Sequence, residues 1–100
     1  MAEYRLTRKA LQDLDDIWYY TVDKWSEQQA DSYYNMLTAS CQKIATNPNL
    51  YGKRYDGIFD GLRGFKVGKH LLFYRILDDD VVEIIRILHE HMDLQNSINE

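Results

Sequence analysis

A single cysteine, Cys41, and a single proline, Pro48, occur in these 100 residues. One thiol excludes an internal disulfide framework and any cysteine-based zinc knuckle. No stretch approaches the roughly 20 apolar residues that a membrane helix needs. The longest apolar runs, His70–Tyr74 and Ile84–Leu88, are strand-sized. Met1–Ala10 lacks the apolar stretch of a secretory signal, so a cytoplasmic location is expected. There are no repeats, low-complexity tracts or Pro/Gly-rich linkers, and the length suits one core, so residues 1–100 are expected to form a single domain.

A basic excess is also missing. The net charge is −4, and the isoelectric point of 5.3 is far from the value above about 9 usual for domains that live on phosphate contacts. Charge is nonetheless segregated. Residues 52–75 carry +4, through Lys53, Arg54, Arg63, Lys66, Lys69 and Arg75, while residues 76–100 carry −6. Nucleic acid as the main ligand is disfavoured, but the middle segment is a basic surface in search of a partner.

Tyr4–Leu6 alternates briefly and reads as a short strand. From Thr7 to Trp25 the apolar residues Leu11, Leu14, Ile17, Trp18, Val22 and Trp25 fall three and four apart, the spacing of an amphipathic helix. Ser26 and Gln29 have capping-box spacing, with Trp25 and Ala30 at the flanking staple positions. A second helix therefore restarts there, with Ala30, Tyr33, Met36/Leu37, Cys41 and Ile44 as its stripe. It must stop at Asn47, because proline disfavours a helical residue before it. Residues 48–61 read as loop. The period then changes to two, giving strands over Leu62–Val67, His70–Leu77 and Val81–His89, with Asp78–Asp80 as a hairpin break. The expected fold is α+β, in the order β-α-α-β-β-β: an antiparallel sheet packed against an N-terminal helical hairpin.

Several residue groups carry possible chemistry. His89 and His91 place two imidazoles on one strand face, half of a metal site if His70, Glu90 or Asp93 supplies a third ligand; edge histidines making hydrogen bonds fit the same residues. Arg63, Lys66, Lys69, Arg75 and Arg86 lie mostly on strands. They suit a phosphorane-like transition state in RNA cleavage, or a basic face that an acidic partner covers, and the acidic total favours the second. Asp13, Asp15 and Asp16 read as a solvated helix face, and Cys41 as a core thiol. Tyr19, Tyr20, Tyr33 and Tyr34 crowd the helices, either as core or as an aromatic groove for a partner. No catalytic residue, cofactor or metal centre is expected.

Short motifs follow one another in a telling order. Trp25, Gln29, Ala30, Tyr33 and Leu37 stand at the helix junction, then Asn47, Pro48 and Gly52. Gly61, Leu62 and Arg63 come next, then His70, Phe73, Tyr74 and Arg75, and finally Arg86 and His89 with Glu90, Met92 and Asp93. Over residues 4–94 the chain resembles the ParE branch of the RelE/ParE toxin superfamily, the toxins of plasmid-stabilisation and chromosomal toxin–antitoxin systems.

That resemblance implies an inhibitor rather than an enzyme. ParE-like toxins poison DNA gyrase after strand cleavage and arrest bacterial growth, and gyrase does the chemistry. RelE-like relatives cleave mRNA in the ribosomal A site without a metal. A ParD-like antitoxin wraps an acidic, apolar segment around the toxin, and the complex reaches DNA only through the antitoxin. RelE-type nucleases combine basic sheet residues with a late Arg and a Tyr or His. Arg63 and Lys66 can stand for the former, but after His91 there is no Arg, Lys or Tyr. The ParE branch is therefore expected. Arg75, Arg86, His89, Glu90, Met92 and Asp93, with the segment Leu88–Ile98, are the expected gyrase contact. Trp18, Trp25, Tyr33, Arg63, Phe65 and Lys66 are the expected antitoxin contact. The alternatives are a RelE-type mRNA interferase and a non-toxic interaction module of the same fold.

Overall fold

The computed structural model describes residues 3–58, 60–77, 81–92 and 94–99. A three-residue strand, β1 (Tyr4–Leu6), runs straight into helix α1 (Arg8–Lys24). Thr7 makes that switch: its backbone is extended, and its hydroxyl accepts from the Ala10 N–H at 3.1 Å, satisfying one donor that the helix start leaves open. Ser26 does the same for α2 (Glu27–Thr46), accepting from Gln29 N–H at 3.0 Å, as the capping-box spacing predicts. Trp25 is not spent on the expected staple; Ala30 is buried, but the Trp25 ring stands 76% exposed. Helix α2 ends at Asn47, in front of Pro48.

The stretch read as loop contains a two-residue strand, β2 (Lys53–Arg54). Strands β3 (Arg63–Val67), β4 (His70–Ile76) and β5 (Val82–His89) follow, each predicted strand shifted at one end by a single residue. A six-residue helix, α3 (Leu94–Asn99), has no counterpart in the sequence reading. The expected break at Asp78–Asp80 lies outside the described residues. The α+β class and the predicted element order hold, with β2 and α3 added.

Sheet order is β1-β5-β4-β3-β2. The expectation of a wholly antiparallel sheet is corrected at one edge. β1 runs parallel to β5, Tyr4 opposite Val82 and Leu6 opposite Ile84, so the sheet is mixed. The remaining pairs are antiparallel, with a bulge between Phe73 and Tyr74 where β4 meets β5. A three-residue strand has no periodicity from which direction can be read.

Both sheet faces are covered, which explains the apolar character of 81–88 on both sides. On one face Leu14, Leu37, Cys41 and Ile44 of the helices pack on Leu72, Tyr74, Val82, Ile84 and Ile87. On the other, Leu62, Phe73 and Leu88 lie beneath Tyr55, Ile58 and Ile98. Cys41 is a core thiol, its pKa pushed up to about 12 by burial.

Candidate functional site

The pairing of β1 with β5 ends at Leu6 and Ile84, and side chains from the start of α1 take over that edge. Thr7 donates its N–H to the Ile84 carbonyl at 3.0 Å and its hydroxyl to the Ile85 carbonyl at 2.7 Å. Asp13 accepts from the Ile87 N–H at 3.0 Å. The same carboxylate grips Arg86 as a fork, at 2.7 Å from Nε and 3.0 Å from Nη2. Arg86 Nη1 then donates to the Ser97 carbonyl of α3 at 2.5 Å. The Arg86 and Asp13 side chains are only 11% and 13% exposed. Asp13 therefore leaves the solvated face on which it was expected, while Asp15 and Asp16 stay there. Arg86, expected in the gyrase contact, is turned inward onto its own chain.

At the end of the sheet where β4 starts and β5 finishes, the helix junction and the β3–β4 turn enclose an open cleft of about 530 Å³. Tyr20, Trp25, Tyr33, Lys69, His70 and His89 are among its walls. Tyr33 organises it. Its hydroxyl lies 2.7 Å from His70 Nδ1 and 3.3 Å from the Val67 carbonyl, and accepts from the Lys69 N–H at 3.1 Å. Gly68 permits this approach: its φ is +59°, and a Cβ there would stand 2.7 Å from the Tyr33 oxygen. Burial, and then the neighbouring His89, hold the His70 pKa down at about 4. His70 is accordingly neutral at pH 7, with a nitrogen able to accept from Tyr33.

The imidazoles form a row rather than a metal site. His70 and His89 meet edge-on with centroids 5.4 Å apart, and His89 and His91 follow at 5.2 Å. The His91 N–H donates to His89 Nδ1 at 3.2 Å. Among the described residues no three His, Cys, Asp or Glu side chains converge as metal ligands. Asp93 lies outside the described residues.

The expected antitoxin residues do not share one surface. Trp18, half-exposed, donates its indole N–H to Asp31 at 2.9 Å, and Trp25 and Tyr33 border the cleft. Phe65 packs edge-on against Tyr51 on the helix side of the sheet, 5.6 Å between centroids. Side chains alternate along a strand, so Arg63 shares the face of Phe65, while Lys66 is on the opposite one. Of the expected gyrase residues, His89, Glu90 and Met92 gather where β5 ends, Met92 at 44% exposure. Arg75 stands at the far end of β4, opposite Glu83. Tyr20, Lys24 and Lys69 complete the cleft without having been singled out for it, although Tyr20 belongs to the aromatic crowding visible in the sequence.

Of the five basic residues singled out in the sequence, Lys69 lies in the β3–β4 turn, and carboxylates of the same chain pair with three: Lys66 with Glu90 at 2.9 Å, Arg75 with Glu83 at 2.8 Å, and Arg86 with Asp13.

Comparison with known proteins places this arrangement. The family model described as ParE toxin of type II toxin–antitoxin system, parDE, matches residues 4–94. The chain is 41% identical over 93 residues to Toxin ParE1 of Caulobacter vibrioides, spanning 93% of this chain and 94% of that one. It is 33% identical over 97 residues to Toxin ParE1 of Mycobacterium tuberculosis, spanning 97% and 98%. Among solved structures it is similar in fold to the chromosomal ParDE toxin–antitoxin system from P. aeruginosa, with a TM-score of 0.76 at 21% identity, covering 89% of this chain and 96% of that one. A toxin–antitoxin complex, RelBE2 from Mycobacterium tuberculosis, is more distant, with a TM-score of 0.60 at 22% identity, covering 88% and 96%. The chain belongs to the ParE family of type II toxin–antitoxin toxins.

Proposed function

We propose that this toxin arrests growth in the cytoplasm by poisoning DNA gyrase, and that a ParD-like antitoxin neutralises it. The observation that carries this reading, beyond the family itself, is the pairing of Lys66, Arg75 and Arg86 with carboxylates of the same chain. A site that cleaves RNA needs positive charge aimed at the developing negative oxygens. Here Arg86 is held inside by Asp13, and the exposed Lys66 and Arg75 stand beside Glu90 and Glu83, whose negative charge opposes that of an RNA phosphate. Residues 92–100 supply no Arg, Lys or Tyr to add to them. On this reading the chain does no chemistry and acts by binding an enzyme that does.

Two adjoining surfaces, meeting at His89, divide the work. The cleft presents exposed Trp25 and Tyr20 next to Lys24 and Lys69, complementary to an acidic and apolar antitoxin segment. The end of β5 and the segment Leu88–Ile98, with His89, Glu90 and Met92, form the gyrase contact. Asp93 falls within that segment; Arg75, half exposed beside Glu83, lies at the far end of β4 from it, and the nearly buried Arg86 lies behind it. DNA is approached only through the antitoxin.

The test uses purified toxin with gyrase and supercoiled DNA, with and without its ParD-like antitoxin. Linear DNA that accumulates with toxin and disappears with antitoxin is the expected result. Undisturbed supercoiling by a folded preparation, with ribosome-dependent mRNA cleavage in its place, would overturn it.

A further inference from the structure

Helix α3 is tied to the body of the protein from two directions. Ile98 packs into the cluster of Leu62, Phe73 and Leu88, and the Ser97 carbonyl, on a buried residue, receives Arg86 Nη1. Arg86 is itself held. Asp13 takes two of its nitrogens, and Asp13 is in turn fixed by the Ile87 N–H. A chain of contacts thus runs from α1 through the guanidinium of β5 to the carbonyl of α3.

We propose that Arg86 is a positioning residue: Asp13 sets its guanidinium, and the guanidinium sets where α3, and with it the segment Leu88–Ile98, stands for the gyrase contact. The inference rests on the gyrase reading above. The Ile87 N–H needs only Asp13, so the sheet edge is satisfied without an arginine. Replacing a buried ion pair with apolar residues is often neutral or better for stability, so stability alone is a weak reason for this pair. What arginine adds is shape. Its rigid fork serves both Asp13 oxygens and still directs another N–H at Ser97; a lysine, with one point charge, cannot hold that geometry. Arg86 therefore joins α1 to α3 without touching the target.

The variant that separates these roles is Arg86→Lys in the full chain, because it keeps a cation beside Asp13 but not the fork. We expect the amides of α3 to exchange about tenfold faster while the sheet amides keep their protection, the effect of losing one charge-assisted hydrogen bond. Gyrase cleavage complexes should fall in proportion to the fraction of chains in which α3 has left its seat, and antitoxin affinity should stay unchanged. Poisoning lost while α3 keeps its protection would mean that Arg86 touches gyrase itself, and would overturn the proposal. So would unchanged exchange in α3, or full poisoning with α3 loosened. If the unaltered toxin leaves gyrase undisturbed, the gyrase reading fails, and exchange in α3 still decides whether Arg86 seats the helix.

Discussion

The hydroxyl of Tyr74, on a ring with no exposed surface, reaches the carbonyl of Pro48 at 2.9 Å and that of Tyr51 at 2.5 Å. One strand side chain thereby fastens the irregular segment between α2 and β3. Tyr74→Phe keeps the packing and removes the bond, and should cost roughly 1–2 kcal/mol, since the loop carbonyls lose a buried donor. For a chain of this size that lowers the melting temperature by about 4–8 °C per kcal/mol, readable by calorimetry.

Gly52 sits against the same hydroxyl. Its φ is +79°, and a Cβ there would come within 2.7 Å of the Tyr74 oxygen. Gly52→Ala is expected to destabilise through both backbone strain and that contact. The contact disappears in Tyr74→Phe, so Gly52→Ala should cost less in that background. Equal cost in both would place the effect in the backbone and in the Tyr74 ring carbon and Gly64 carbonyl, which a Cβ would approach at 3.1 and 3.2 Å.

Ion pairs in this protein should differ widely in value. Asp13→Ala removes the carboxylate opposite Arg86 and leaves Ile87 with an unanswered N–H in a nearly buried place, and should cost about 3–5 kcal/mol. Lys66→Ala breaks a pair in which the lysine side chain is mostly exposed, and should cost below about 1 kcal/mol. Urea unfolding of the two variants checks the contrast directly.

The contrast also marks what a sequence can disclose. The Ser26 cap, the stop before Pro48 and the alternation of β3 to β5 are local signals, read within a few residues, and the structure keeps all of them. Asp13 carries no such signal. It looks like its neighbours Asp15 and Asp16, and only a partner 73 residues away, delivered by sheet topology, separates them. The direction of β1 and the existence of β2 depend likewise on strands far along the chain, because two or three residues are too few for a period. The hydrophobic staple failed for a different reason: spacing placed Trp25 correctly in sequence, but the hairpin leaves its ring outside. Arg63 and Lys66 separate for a simpler one, since three positions along a strand put two side chains on opposite faces.

Acid should weaken the fold through His70. Its pKa in the folded protein, about 4, lies below its ordinary 6.5, because burial and then His89 oppose its charge, while Asp13 and Glu90 partly favour it. Above pH 6.5 the imidazole is neutral both folded and unfolded, and costs nothing. As pH falls from 6.5 to 4 the unfolded chain takes up a proton that the folded one refuses. Stability then drops by up to about 1.4 kcal/mol per pH unit. His70→Asn keeps an acceptor for the Tyr33 hydroxyl and removes the titration. Melting curves of that variant should therefore be flatter across this range than those of the unaltered chain, and parallel curves would contradict the assignment.

Trp25 lends itself to a test of the antitoxin surface that stability cannot confuse. With its ring 76% exposed beside the cleft, it contributes little to the core, so Trp25→Ala should change folding stability by no more than about 0.5 kcal/mol. Large aromatic side chains at the centre of a contact are the residues on which affinity concentrates, commonly at 2 kcal/mol or more. The same substitution should therefore weaken antitoxin binding by at least about thirtyfold in titration calorimetry, since each 1.4 kcal/mol is a factor of ten. Lys69→Ala, a charge change on the rim of the same cleft, should act mainly on the association rate and be masked by salt. If Trp25→Ala binds antitoxin as tightly as the unaltered chain, the antitoxin lies elsewhere on the hairpin, with Trp18 and Tyr19 the next residues to replace.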